Sequence, residues 1–222
     1  MSDPSLNELS NVLNFRPIPA VMWLIIGCAI LFAFLQLAMP VFIYQRDLMW
    51  SEPWRWWTAQ WVHVGWRHYG LNILALACLP FIIPHMSRAN LGWAIIILSP
   101  LLSIGLYWFY PHVYAYAGFS GVLHGLYVWA ALTSLLFNLP QETLKNTGTT
   151  HYLNERKFAT LLLLAVVIKV LIEKKVGHTD TERLIQAPVL IEAHQIGVVV
   201  GVLYTSLQYI WFKFYDSRHK TA

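Results

Sequence analysis

The sequence predicts an all-α polytopic membrane protein, a single bundle of six transmembrane helices. Three observations carry this. Hydrophobic residues make up 57% of the 222 and charged residues only 12%, outside the range of an ordinary soluble domain. Six apolar runs, 18–44, 69–85, 90–110, 120–137, 157–172 and 188–212, are of about the 17–25 residues that cross hydrocarbon. Two of them carry glycines four apart, Gly121 with Gly125 and Gly197 with Gly201, which share a helix face and let two membrane helices approach closely.

Taken in order, residues 1–17 are polar, with Asp3, Glu8 and Arg16. They read as a short cytoplasmic segment, because the apolar run that follows is too long for a signal-peptide core. The loop from Gln45 to Arg67 holds six of the eleven tryptophans, Trp50, Trp54, Trp56, Trp57, Trp61 and Trp66. Indole favours the headgroup zone, so this loop is expected to be partly helical and interfacial. The connection 111–118 has no Lys, Arg, Asp or Glu and is expected to dip into the bilayer, where protein must satisfy its backbone. The 141–151 connection is polar and reads as a flexible loop. The fifth run is short and carries Lys169, four residues before Glu173. That is ordinary ion-pair spacing on a helix, and it predicts a pair near the membrane surface. Residues 18–212 form the membrane domain and 213–222 a cytoplasmic tail. Cys28 and Cys78 lie inside apolar runs and read as small buried hydrophobes, not as a disulfide.

The net charge of +4 is explained by topology and not by nucleic acid. With a cytoplasmic N-terminus, Arg16, Arg88, Lys145, Arg156, Lys157, Lys213, Arg218 and Lys220 fall inside, against Arg46, Arg55, Arg67, Lys174, Lys175 and Arg183 outside. Eight against six is a weak positive-inside bias. No internal repeat of the kind that builds transporters is visible.

Parity then brings the polar residues to one side. The second, fourth and sixth spans start from the same face of the membrane. His68 and Asn72 begin the second, Ser120 the fourth and His194 the sixth. Polar groups that converge inside a membrane are costly and functional by default. The glycine faces could bring a His194 nitrogen within reach of the Ser120 hydroxyl, the geometry of an activated serine nucleophile. His68 and Asn72, four apart on one face, could donate to an oxyanion together with the backbone N–H of Ser120. His124 lies one turn below Ser120 on the same helix and points poorly for taking its proton. It reads as a residue that packs against or orients His194. Lys169 is a competing base, and Glu192 stands two residues from His194, on a different helix face.

At these residues the chain resembles the rhomboid intramembrane serine proteases. The likeness rests on Trp54-Arg55 in the first loop, His68-x-x-x-Asn72, Gly118-x-Ser120-Gly121, and Ala193-His194-x-x-Gly197-x-x-x-Gly201. It implies Ser120 as nucleophile and His194 as base, a dyad without an aspartate. It also implies an oxyanion site of His68, Asn72 and the Ser120 N–H, and a first loop braced by Trp54 and Arg55. His124 departs from the tyrosine common at that position. With Gly118, Gly121, Gly125 and the short chain, it makes the sequence similar to the bacterial rhombosortase branch, to which Lys169 and Glu173 as candidate modulators also fit. The resemblance implies a multi-pass protein of the bacterial inner membrane with its site facing the periplasm. Its substrates would be transmembrane or C-terminally membrane-anchored exported proteins, cut near a glycine-rich tail, with no cofactor, metal or nucleic acid. The oligomeric state is not implied.

Two other classes compete. One is a catalytically inactive relative that binds transmembrane segments, which the presence of both Ser120 and His194 opposes. The other is a haem or metal protein, suggested by nine histidines but lacking facing pairs at matched depth.

Overall fold

The computed structural model describes residues 20–82, 88–137, 149–176 and 179–219. Residues 1–17, His85, most of the 141–151 connection and the end of the tail lie outside them. The elements are α1 (Ala20–Gln36), α2 (Met39–Phe42), β1 (Tyr44–Gln45), a 3-10 turn (Arg46–Leu48), α3 (Arg55–Thr58), α4 (Trp66–Ile82) and α5 (Arg88–Phe109). They continue with β2 (Ala115–Tyr116), α6 (Ser120–Leu136), α7 (Thr149–Val176), α8 (Thr179–Ile185) and α9 (Ile191–His219).

The fold is all-helical and of membrane type. Among the described residues, α5 and the Ile191–Tyr215 part of α9 are long and apolar enough to span a bilayer, and α1 and α6 are shorter apolar helices. The first apolar run is therefore not one helix. It stops at Gln36 and restarts with Pro40 in the first turn of α2, where a missing N–H costs nothing. In the opposite sense, α7 runs for 28 residues, well beyond the apolar stretch 157–172. Glu155, Arg156 and Lys157 are good helix formers even though they are not membrane-soluble. The cysteines also differ from expectation: Cys28 is half-buried and Cys78 exposed on the outer side of α4.

The closest helix crossing joins α6 to α9. A Cβ on Gly197 would overlap the carbonyl oxygen of Gly121, and one on Gly201 would lie 2.5 Å from that of Gly125. Backbone meets backbone there, as small residues at four-residue spacing allow. The crossing sets the first turn of α6, with Ser120, against the first turn of α9, with His194.

The tryptophan-rich loop does not merely rest on a surface but runs down one side of α5. Trp50 Nε1–H donates to the Tyr107 hydroxyl (3.1 Å), Gln60 Nε2 to Ser103 Oγ (2.8 Å), Trp61 Nε1–H to Ser99 Oγ (3.2 Å) and Trp57 Nε1–H to the Ile96 carbonyl (3.0 Å). These rungs run from Ile96 to Tyr107, roughly 16 Å of helix. The lowest has a local cause. Pro100 lies inside α5 and has no N–H for the carbonyl four residues before it. That carbonyl belongs to Ile96, and an indole takes it up.

The backbone of the 111–119 connection is satisfied by the same loop. β1 and β2 pair antiparallel, Tyr44 opposite Tyr116 and Gln45 opposite Ala115. Arg46 N–H donates to the Tyr114 carbonyl (2.9 Å), and Gly118 N–H to that of Ala59 (3.2 Å). The first loop thus anchors the segment that delivers Ser120.

Candidate active site

Ser120 opens α6, where the first N–H groups of a helix have no partner within it and carry the positive end of its dipole. The approach is shaped by Gly118, whose φ of +147° suits glycine alone. A Cβ on Gly118 would also fall 2.6 Å from His68 Cε1, so the His68 ring lies directly against this backbone. The Tyr116 hydroxyl donates to the Gly118 carbonyl at 2.6 Å.

Ser120 Oγ and His194 Nε2 are 3.0 Å apart, and His194 is 2% exposed. The other ring nitrogen, Nδ1, lies 2.8 Å from Glu173 Oε2. The Lys169–Glu173 pair forms at 2.5 Å, but it is not a simple surface pair: the Glu173 side chain is 8% exposed and its second oxygen is turned to His194. Lys169 Nζ also lies 3.2 Å from His124 Nε2, and His124 Nδ1 is 2.7 Å from the Ser120 carbonyl oxygen. The His124 and His194 rings stack, with centroids 4.1 Å apart and planes 20° apart. Glu192 turns away, toward His112 at 3.4 Å.

His68 and Asn72 follow one turn apart in α4, both buried. Asn72 Nδ2 and His68 Nδ1 are buried without a hydrogen-bond partner among the described residues. Unpaired buried polar atoms are expensive, and these two residues line the same cavity as Ser120 and His194. That cavity, about 380 Å³, is otherwise mostly apolar and is walled by Leu71, Leu123, Tyr127, Leu162 and Val166, with Lys169 at one side. A smaller one of about 160 Å³ adjoins Ser120 and His68 beneath Val189 and Leu190.

Trp54 and Arg55 lie away from the cavity and hold the first loop. Arg55, 3% exposed, donates to the Ile43 carbonyl (2.7 Å) and pairs with Glu52 (2.6 Å), and Trp54 Nε1–H donates to Val41 (3.1 Å). Gly121, Gly125, Gly197 and Gly201 are all in the α6–α9 crossing. His124, Glu173 and His194 offer ligand atoms within 4.8 Å of one another, but the Lys169 ammonium already bonds to two of these residues. Sequence reasoning did not foresee Glu173 at His194, nor the buried His63, packed edge-on to His68 at 5.2 Å. The available signal for Glu173 was its place one turn from Lys169, the lysine in the middle of the fifth apolar run.

Residues 51–210 match the family described as the Rhomboid domain, well over half of the chain. No curated protein matches it.

Proposed function

Because the chain belongs to the rhomboid family, we propose that it is an intramembrane serine endopeptidase with Ser120 as nucleophile and His194 as general base. The observation that carries this is the 3.0 Å contact between Oγ of the half-buried Ser120 and Nε2 of the buried His194, each in the first turn of its helix. Ser120 Oγ attacks the scissile carbonyl while its proton passes to His194 Nε2. The tetrahedral oxyanion is received by the Ser120 N–H, His68 and Asn72, a class of interaction worth about 2.7–4 kcal/mol per donor. The C–N bond then breaks as His194 returns the proton to the leaving amine. Water, deprotonated by the same base, cleaves the ester, releasing a carboxylic acid and restoring Ser120.

A transmembrane substrate must unwind at the cut, since helical carbonyls are otherwise bonded, and glycine near the scissile bond eases this. The mostly apolar cavity favours such a segment over a charged peptide. Together with the rhombosortase-like string around His124, it supports membrane-anchored exported proteins with a glycine-rich C-terminal tail as the substrate class. The bundle has six spans, with the N-terminus cytoplasmic and the site on the far side, in the periplasm for a bacterial inner membrane.

The test is intact-mass analysis after a fluorophosphonate probe. The wild-type protein in detergent is expected to gain one adduct, absent from Ser120→Ala and His194→Ala. A folded wild type that stays unlabelled, beside a rhomboid that labels, would overturn the reading in favour of an inactive binder of transmembrane segments.

A further inference from the structure

Five groups close a ring of contacts, and only one hydrogen-bond direction fits it. Lys169 Nζ has protons and no lone pair, so it donates both to Glu173 Oε1 and to His124 Nε2. His124 therefore carries its proton on Nδ1 and donates it to the Ser120 carbonyl. Glu173, as a carboxylate, only accepts, so His194 carries its proton on Nδ1 and donates it to Oε2. What remains is the His194 Nε2 lone pair, and it faces the Ser120 hydroxyl. The ring thus selects the tautomer that a general base requires.

Resting on the reading of Ser120 and His194 as nucleophile and base, we propose that Glu173 is the positioning residue of a Ser–His–Glu relay, with Lys169 as its counter-ion. Three features of the geometry point this way. The Glu173 carboxylate is almost fully buried, where an unpaired anion would be costly, and Lys169 cancels its charge. Its two oxygens are divided, one to the ammonium and one to the imidazole. Its contact is with the nitrogen opposite the one that faces serine, as in orienting acids of other serine hydrolases. When Ser120 Oγ bonds to the substrate carbon and its proton moves to Nε2, Glu173 keeps its hydrogen bond to Nδ1–H and faces the new imidazolium. The carboxylate does not take the proton. His124, stacked on His194, holds the ring plane while tying Lys169 to the Ser120 backbone.

The experiment measures fluorophosphonate labelling of the full chain as a function of probe concentration, with Ser120→Ala and His194→Ala as references. Glu173→Gln is expected to lower the saturating rate by roughly two to four orders of magnitude with the half-saturating concentration unchanged, and Glu173→Asp to recover part of the loss. Labelling of Glu173→Gln at the wild-type rate, with both reference variants dead, would overturn the relay while leaving the nucleophile and base intact. A rise in half-saturating concentration alone would also overturn it, by making Glu173 a wall of the cavity. Nitrogen-15 NMR of labelled histidine in the wild type needs no Glu173 variant. The His194 signal, identified by its loss in His194→Ala, is expected to show a protonated Nδ1 and an unprotonated Nε2, and the reverse tautomer would overturn the proposal.

Discussion

Ser120 is reached through a residue that only glycine can occupy. At Gly118 a φ of +147° and the closeness of the His68 ring act together, so two costs fall on any side chain placed there. A non-glycine residue held in such a conformation costs about 1–3 kcal/mol, and the added methyl must also displace the His68 ring. Gly118→Ala is therefore expected to lower the thermal unfolding midpoint modestly and to reduce fluorophosphonate labelling far more than that loss explains. A variant with the lower midpoint but wild-type labelling would mean that His68 does not need this position. Compare Trp54 and Arg55, which tie the first loop to Val41 and Ile43 just before it and to Glu52 within it. Their replacement acts on that loop before it acts on the chemistry.

At the scale of elements, the first loop is held by what α5 leaves unpaired. Pro100 removes the N–H that the Ile96 carbonyl would have used, and Trp57 Nε1–H fills it. Trp57→Phe keeps an aromatic side chain but deletes the N–H with the pyrrole ring that carries it, and the lost hydrogen bond alone is expected to cost about 0.5–1.5 kcal/mol. Pro100→Ala restores a backbone donor, so Trp57→Phe should cost less in that background, a coupling that a double-mutant cycle on thermal unfolding reads directly. Equal costs in both backgrounds would show that the indole contributes by packing alone. This pairing also shows where the sequence was legible and where it was not. Glycines at four-residue spacing told that α6 and α9 meet backbone to backbone, and with that the approach of Ser120 to His194. The descent of the loop along α5 was hidden, because an indole donor and a proline-freed carbonyl 39 residues apart leave no periodic trace. Glu173 was hidden for a different reason. Its i,i+4 partner already explained it, and the rotation of α7 about its axis is fixed by packing, since the run 157–172 is apolar on nearly every face.

Across the whole molecule, the chemistry depends on which side of the membrane the cavity opens. His68, Ser120 and His194 all stand in the first turns of their helices, as helices that start from one face require. The β1–β2 pair and the 111–119 connection stand over the same end. The proposed arrangement, six spans with an internal N-terminus, puts that end outside the cytoplasm and the 141–151 connection inside it. Single cysteines distinguish the arrangements once the native pair is removed as Cys28→Ala and Cys78→Ala. Tyr114, 65% exposed in the connection before Ser120, supplies one position as Tyr114→Cys, and Thr147→Cys supplies the other. In intact cells a membrane-impermeant maleimide is expected to label Tyr114→Cys at once and Thr147→Cys only after lysis. Labelling of both before lysis would remove a span between them. The reverse order would invert the molecule and turn the cavity toward the cytoplasm, away from the substrates proposed for it. The positive-inside bias is only eight cations against six, too small to set orientation firmly against the packing of the bundle. The side that reaches the probe therefore decides which half of a substrate Ser120 can meet.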